Sequence, residues 1–183
     1  MTRKRLITAG WLAMTSAVLT IPWFILTFFL AEQKGVAAKA AEAAMLVAGT
    51  ALTVYLLVTL RRLLHERYGF LQVDLPIGLL IKANIVSAAV SLLGLALPRM
   101  ESALGVFGII VVVVVGILQI AFGLKLRQLS DPLQGLHKPY CYLNIITGGC
   151  LVAFILIPMG ILTGAIADVM LGTIFFQAAS TSE

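Results

Sequence analysis

Asp168 is the acid best placed for chemistry in this chain, because it lies in an apolar stretch with Gly160, Gly164 and Gly172 at four-residue steps. Read as a helix, that spacing puts three glycines and one carboxylate on a single face. Small residues on such a face let a second helix approach closely. A carboxylate inside a membrane usually faces protein or a water-filled cavity, where it can relay a proton or an ion. The plainer expectation is a boundary carboxylate near the outer membrane surface, hydrated or paired with Arg99 or Lys39, on a helix face that is simply close-packed. In that case leucine at Gly164 should force two helices apart, while Asp168→Asn should be tolerated.

Asn84 and Asn144 form the second constellation. Asn84, Ser87, Ser91 and Gly94 fall on one helical stripe, and Asn144, Thr147 and Gly148 repeat its beginning. Such groups are expected first as interhelical hydrogen-bond partners, worth on the order of 1 kcal/mol each. A substrate cavity lined by the two asparagines is the sharper alternative, since repeats place equivalent polar groups around a shared axis.

The remaining reactive residues suggest little catalysis. Lys82 falls near the cytoplasmic end of its helix, where its long stem reaches the headgroups. It is therefore expected on the opposite side of the membrane from Asp168. His65 and His137 fall at helix ends, so neither suits an axial haem ligand within the bilayer. Cys141 and Cys150 are nine positions apart, about 13 Å along one helix, too far for a disulfide. The sequence contains no HExxH, GxSxG, phosphate-binding loop or glycine-rich dinucleotide fingerprint. No catalytic residue, no cofactor-binding residue and no metal ligand is assigned, and a non-enzymatic protein is expected.

The elements that position these residues follow from composition. The 183 residues are 61% hydrophobic and 11% charged, with a mean hydropathy of +1.06, too little charge to cover a soluble domain. A hydrocarbon core of about 30 Å takes roughly 20 apolar residues per helix. Spans are predicted over 6–31, 40–60, 76–97 and 104–124. The apolar run 140–179 is too long for one crossing, and Pro158-Met159-Gly160 is the expected break. The fold class is therefore all-α: a polytopic integral membrane bundle with six transmembrane helices as three hairpins, the last span short, from about Gly164 to Ala179. Five spans with an interfacial C-terminal helix are the alternative.

Orientation follows from the basic residues. Ten of the 13 Lys and Arg fall on one side of the six-span arrangement, and Lys34, Lys39 and Arg99 fall on the other. Positive loops stay in the cytoplasm, so both termini are expected there, in a prokaryotic inner membrane. The net charge of +5 belongs to this topology and to anionic lipid, with no stripe suited to nucleic acid. The first span is too long for a secretory signal and is expected to remain.

A tandem repeat organises the chain. The segment Asn84-Ile85-Val86-Ser87 to Pro98 recurs sixty positions later as Asn144-Ile145-Ile146-Thr147 to Pro158, without a gap. A weaker copy begins near Leu6 and closes on Pro22. One transmembrane domain, 1–183, is thus divided into hairpins of about 6–67, 76–127 and 140–180. The segment from Asn84 through Leu92-Leu93-Gly94-Leu95-Ala96-Leu97-Pro98 to Gly116-Ile117-Leu118-Gln119-Ile120-Ala121-Phe122-Gly123-Leu124-Lys125-Leu126-Arg127 resembles the hairpin repeat of the HdeD-like acid-resistance membrane proteins. That resemblance implies six helices as three hairpins and a stress-related bilayer protein; it carries over no catalytic residue.

Two functions are consistent with these features. One is a stress-related bilayer protein or an accessory subunit of a membrane complex, touching lipid and other subunits or a second copy of itself. The other is a small transporter or channel, proton-coupled through Asp168. The apolar run Val111 to Val115 favours a closed core or lipid contact, hence the first. Reporters fused before Met1 and after Glu183 should both behave as cytoplasmic, and a tail on the opposite side would remove one span.

Overall fold

The computed structural model describes residues 2–33, 35–97, 100–129 and 135–181, and among these there is no strand. Six helices account for nearly all of them: α1 (Arg3–Glu32), α2 (Val36–Tyr68), α3 (Asp74–Ala96), α4 (Glu101–Leu126), α5 (His137–Val152) and α6 (Ile157–Ser180). In lipid every backbone polar group must be satisfied within the protein, and a helix does this segment by segment. Five helices are long and apolar enough to cross a membrane: α1, α2, α3, α4 and α6. This chain is a helical membrane bundle.

The structure corrects the predicted break. The chain turns at 153–156, and Pro158 lies in the first turn of α6. A proline there sacrifices only an N–H that the first turn leaves unpaired in any case. The turn passes instead through Phe154, which takes the left-handed conformation with φ of 51°. As a result α6 is a full 24 residues, and the short helix is α5, with 16 residues, about 24 Å long. The expectation of a short last span from Gly164 to Ala179 is thus reversed, and the C-terminal helix is long and apolar enough to cross a membrane. α2 stops where glycine was needed: Gly69 adopts φ of 58°, and its N–H and that of Phe70 bond back to the carbonyls of His65 and Leu64.

The helices form a ring. Each packs on its neighbours in chain order, and α6 closes onto α1. The two most extensive interfaces are α4 with α5 and α1 with α6, and the least extensive is α1 with α2. The tightest seams therefore lie between the expected hairpins, although the two helices of each hairpin also touch. Glycine makes both seams. A Cβ built on Gly148 would lie 2.5 Å from the carbonyl oxygen of Gly116, and one on Gly172 would lie 3.0 Å from that of Gly10. Trp11 packs edge-on to Phe176 with ring centroids 5.6 Å apart. These pairings run α1 antiparallel to α6, so residues near the two ends of the chain share one end of the ring.

That end is the solid half of the protein. Leu6, Leu60, Leu64, Ile77, Phe122, Leu126 and Phe175 are all fully buried there, within one apolar cluster drawn from all the long helices and joined by Tyr140 and Cys141 of α5. Polar ties fasten its rim. Arg67 of α2 donates to the carbonyls of Ala178 and Thr181 at 2.6 and 2.7 Å, a cation closing the carbonyl end of α6. Arg61 pairs with Asp74 at 2.8 Å across the α2–α3 turn. Buried His137 uses Nε2 against the carbonyl of Leu126 at 2.6 Å.

Gly148→Ala should destabilise the protein by about 1–3 kcal/mol, because even a methyl group meets backbone across the α4–α5 seam. Gly94→Ala faces open space in α3 and should be neutral or stabilising, by up to about 1 kcal/mol. Thermal unfolding of both variants in detergent tests the ring packing; equal melting temperatures would contradict it.

Candidate functional site: a polar cavity inside the helix ring

Asp168 is in the middle of α6, eleven residues after Ile157 and twelve before Ser180. Those steps place it roughly 16 and 18 Å from the two helix ends. The boundary position expected from the sequence depended on a helix starting at Gly164; the actual start is seven residues earlier. Its partner also differs. Ser16 of α1 donates its hydroxyl proton to Asp168 Oδ2 at 2.8 Å. Lys39 donates instead to the carbonyl of Leu95 at 3.3 Å, and Arg99 lies outside the described residues, as do Pro98 and the Ser130–Gln134 loop.

Around this carboxylate the ring forms a partly open cavity of about 390 Å³, lined by residues of all six helices. Ser16 and Thr20 come from α1, Thr53 from α2, Asn84 from α3, Gln119 from α4, Tyr140, Asn144 and Thr147 from α5, and Asp168 from α6. Most lie near the middle of their helices. The apolar cluster at the end shared by the chain termini closes the cavity from that side, with Leu56, Leu80, Phe122 and Leu171 forming its floor.

The hydroxyl protons of four cavity residues, Ser16, Thr20, Thr53 and Thr147, are already committed. Thr20 donates to the carbonyl of Ser16 and Thr53 to that of Gly49, at 2.8 and 3.0 Å. Thr147 donates to Thr163 at 2.9 Å, and Ser16 to Asp168. Each oxygen therefore faces the cavity chiefly as an acceptor. The asparagines behave alike. Asn84 Nδ2 donates to the Leu80 carbonyl and Asn144 Nδ2 to the Tyr140 carbonyl, at 2.9 and 2.8 Å, each one turn back. Among the described residues no Lys, Arg or His lines the cavity, and Asp168 is its single acid. Gln119 and Tyr140 can also donate, but the only formal charge lining the cavity among the described residues is that of Asp168, which attracts a cation or a proton.

The candidates named from sequence now sort by position. Asp168, Asn84, Asn144, Gly160 and Gly164 line the cavity, whereas Gly172 lies against the backbone of α1 at Gly10. The glycine face is thus divided among three surroundings. Gly160 packs near Cys150, Gly164 borders the cavity with Thr147 Cγ2 as its nearest neighbour at 3.7 Å, and Gly172 makes the seam. The α3 stripe is also divided: Asn84 turns inward, while Ser91 is exposed. Lys82 is exposed and takes no part. Cys141 and Cys150 are both free and buried on α5.

Ser16, Thr20, Thr53, Gln119 and Tyr140 are site residues that sequence reasoning did not single out. Their shared signal is one or two polar side chains in the middle of each apolar span. Nothing in a single sequence says that these side chains turn toward one point. Comparison with protein-family models, with curated proteins and with solved structures gives no match.

Gly164→Leu should therefore fold, its side chain entering the cavity, instead of prying helices apart as first expected. Gly172→Leu should lose about 1–3 kcal/mol by overpacking against Gly10 and Met14. Unfolding temperatures measured side by side give the order, and equal damage from the two would refute the division of the glycine face.

Proposed function

We propose that this chain is a small, non-enzymatic membrane transporter whose substrate site is the central cavity and whose ion-binding group is Asp168. One observation carries the proposal: a polar cavity of about 390 Å³ gathers side chains from all six helices around a mid-helix carboxylate. Lipid contact or subunit packing would favour a closed, apolar centre, and a buried carboxylate in hydrocarbon has a desolvation cost that packing alone does not return. Transporters place substrate and coupling-ion sites at this depth. The floor of apolar side chains with the opposite half less packed corresponds to one state of an alternating-access cycle.

Several features support the finer picture. The basic residues cluster at the solid end, and the preference for positive charge in cytoplasmic loops supports a cytoplasmic side there, with both termini, in a prokaryotic inner membrane. The matching one-turn bonds of Asn84 and Asn144 support the internal repeat and a common role for its two copies. Residues 84–127 carry the resemblance to the HdeD-like proteins, which is compatible with a bilayer protein responding to acid. Among the described residues no second carboxylate, histidine or cysteine lines the cavity beside Asp168, and the proposal is therefore transport and not catalysis.

Purified protein in lipid vesicles, given a pH gradient and the impermeant cation tetramethylammonium, should show cation-dependent proton flux above empty vesicles. Asp168→Asn, nearly isosteric and still able to accept from Ser16, should fold normally and abolish that flux. Unchanged flux in the variant would overturn the role of Asp168. Absence of flux in the parent protein would favour the accessory-subunit alternative.

A further inference from the structure

Beside the central cavity lies a second one, and its walls differ in chemistry from the centre. The second cavity, about 350 Å³, lies between α1 and α2 and shares Ser16, Thr20, Thr53 and Ile161 with the first. Beyond those shared residues its walls are Leu19, Trp23, Phe24, Leu52, Thr27 and Gly49. Thr27 and Thr53 donate to the carbonyls of Trp23 and Gly49 on their own helices at 2.9 and 3.0 Å, so these walls present little but apolar and aromatic surface. The cleft falls where the ring is weakest, at the α1–α2 interface. Leu19 and Phe24 are 40% and 39% exposed, on the surface that a transmembrane helix turns to lipid.

We propose that the substrate class is lipophilic cations, entering sideways from the bilayer through the α1–α2 cleft, with the charged head at Asp168 and the apolar body against Trp23, Leu19 and Leu52. This rests on the transport function proposed above and adds the chemistry of its substrate. Charge complementarity selects the head: the single acid of the cavity meets no basic side chain among its lining residues. The aromatic wall selects the body, since a cation carrying apolar groups gains from burying those groups against the indole ring and the leucines. A hydrophilic cation would gain only the first contact. An anionic or zwitterionic lipid would bring its phosphate against the carboxylate and is disfavoured.

The choice of variants follows from Gly49. A Cβ there would meet only Trp23 Cζ2, at 3.9 Å, so Gly49→Phe should fill the cleft without displacing backbone. Leu19→Trp narrows the same cleft from α1 at an exposed position. Binding of tetraphenylphosphonium and of tetramethylammonium to the purified full chain is measured by equilibrium dialysis. Fluorescence of Trp23 is read in a Trp11→Phe background. Tetraphenylphosphonium should bind at least tenfold more tightly than tetramethylammonium and change the Trp23 emission.

Gly49→Phe and Leu19→Trp should each weaken tetraphenylphosphonium at least tenfold and leave tetramethylammonium within about twofold, and Asp168→Asn should remove both. If tetramethylammonium binds through Asp168 but tetraphenylphosphonium binds no better, or if both cleft variants leave tetraphenylphosphonium unchanged, the lipophilic-cation proposal is overturned while the central site stands. If neither probe depends on Asp168, the transport reading falls with it.

Discussion

A carboxylate halfway along an apolar helix is the constraint to which the rest of this structure answers. Asp168 has about 16 Å or more of apolar helix on either side, and lipid offers it neither water nor a counter-charge. The protein meets this by turning α6 so that Asp168 faces inward to the hydroxyl of Ser16 and to a cavity rimmed by one or more polar side chains from every other helix. The amides among them, Asn84, Gln119 and Asn144, would be costly on a lipid-facing surface. Their convergence with Asp168 therefore sets the rotation of α3, α4, α5 and α6 about their own axes.

Glycine lets the ring close around that point. Where α4 meets α5 and α1 meets α6, backbone lies against backbone at Gly116–Gly148 and Gly10–Gly172. Close backbone approach replaces hydrophobic driving force as the source of helix association in lipid, since lipid tails are as apolar as leucine. Elsewhere the helices stand further apart, and glycines such as Gly78, Gly94 and Gly105 face open space. The same residue type thus makes tight seams at some positions and none at others, depending on what lies across from it.

The two halves of the ring differ in a way that bears on the proposed transport. Leu60, Leu64, Phe122 and Phe175 fill the half near both chain termini, and Arg67, Arg61 and His137 tie its rim with hydrogen bonds. The other half holds the C-terminal end of α5, the turn at 153–156 and the α1–α2 cleft. A site that is closed on one side and less packed on the other has the asymmetry that alternating access needs. Movement would have to exchange packed apolar contacts at one end for new ones at the other.

Sequence by itself determined the environment, the helical class and most of the spans. Apolar runs of this length leave helices as the only open backbone arrangement in lipid, and the run at 140–179 had to contain a turn. The position of that turn was not legible, because proline is compatible with both a break and the first turn of a new helix, and the depth of Asp168 was misjudged with it. Asn84, Asn144 and Asp168 could be picked out as polar residues in apolar surroundings. That they share one cavity with Ser16, Thr53 and Gln119 was decided only by the tertiary structure, because helices that are apolar all round carry no stripe saying which face turns inward.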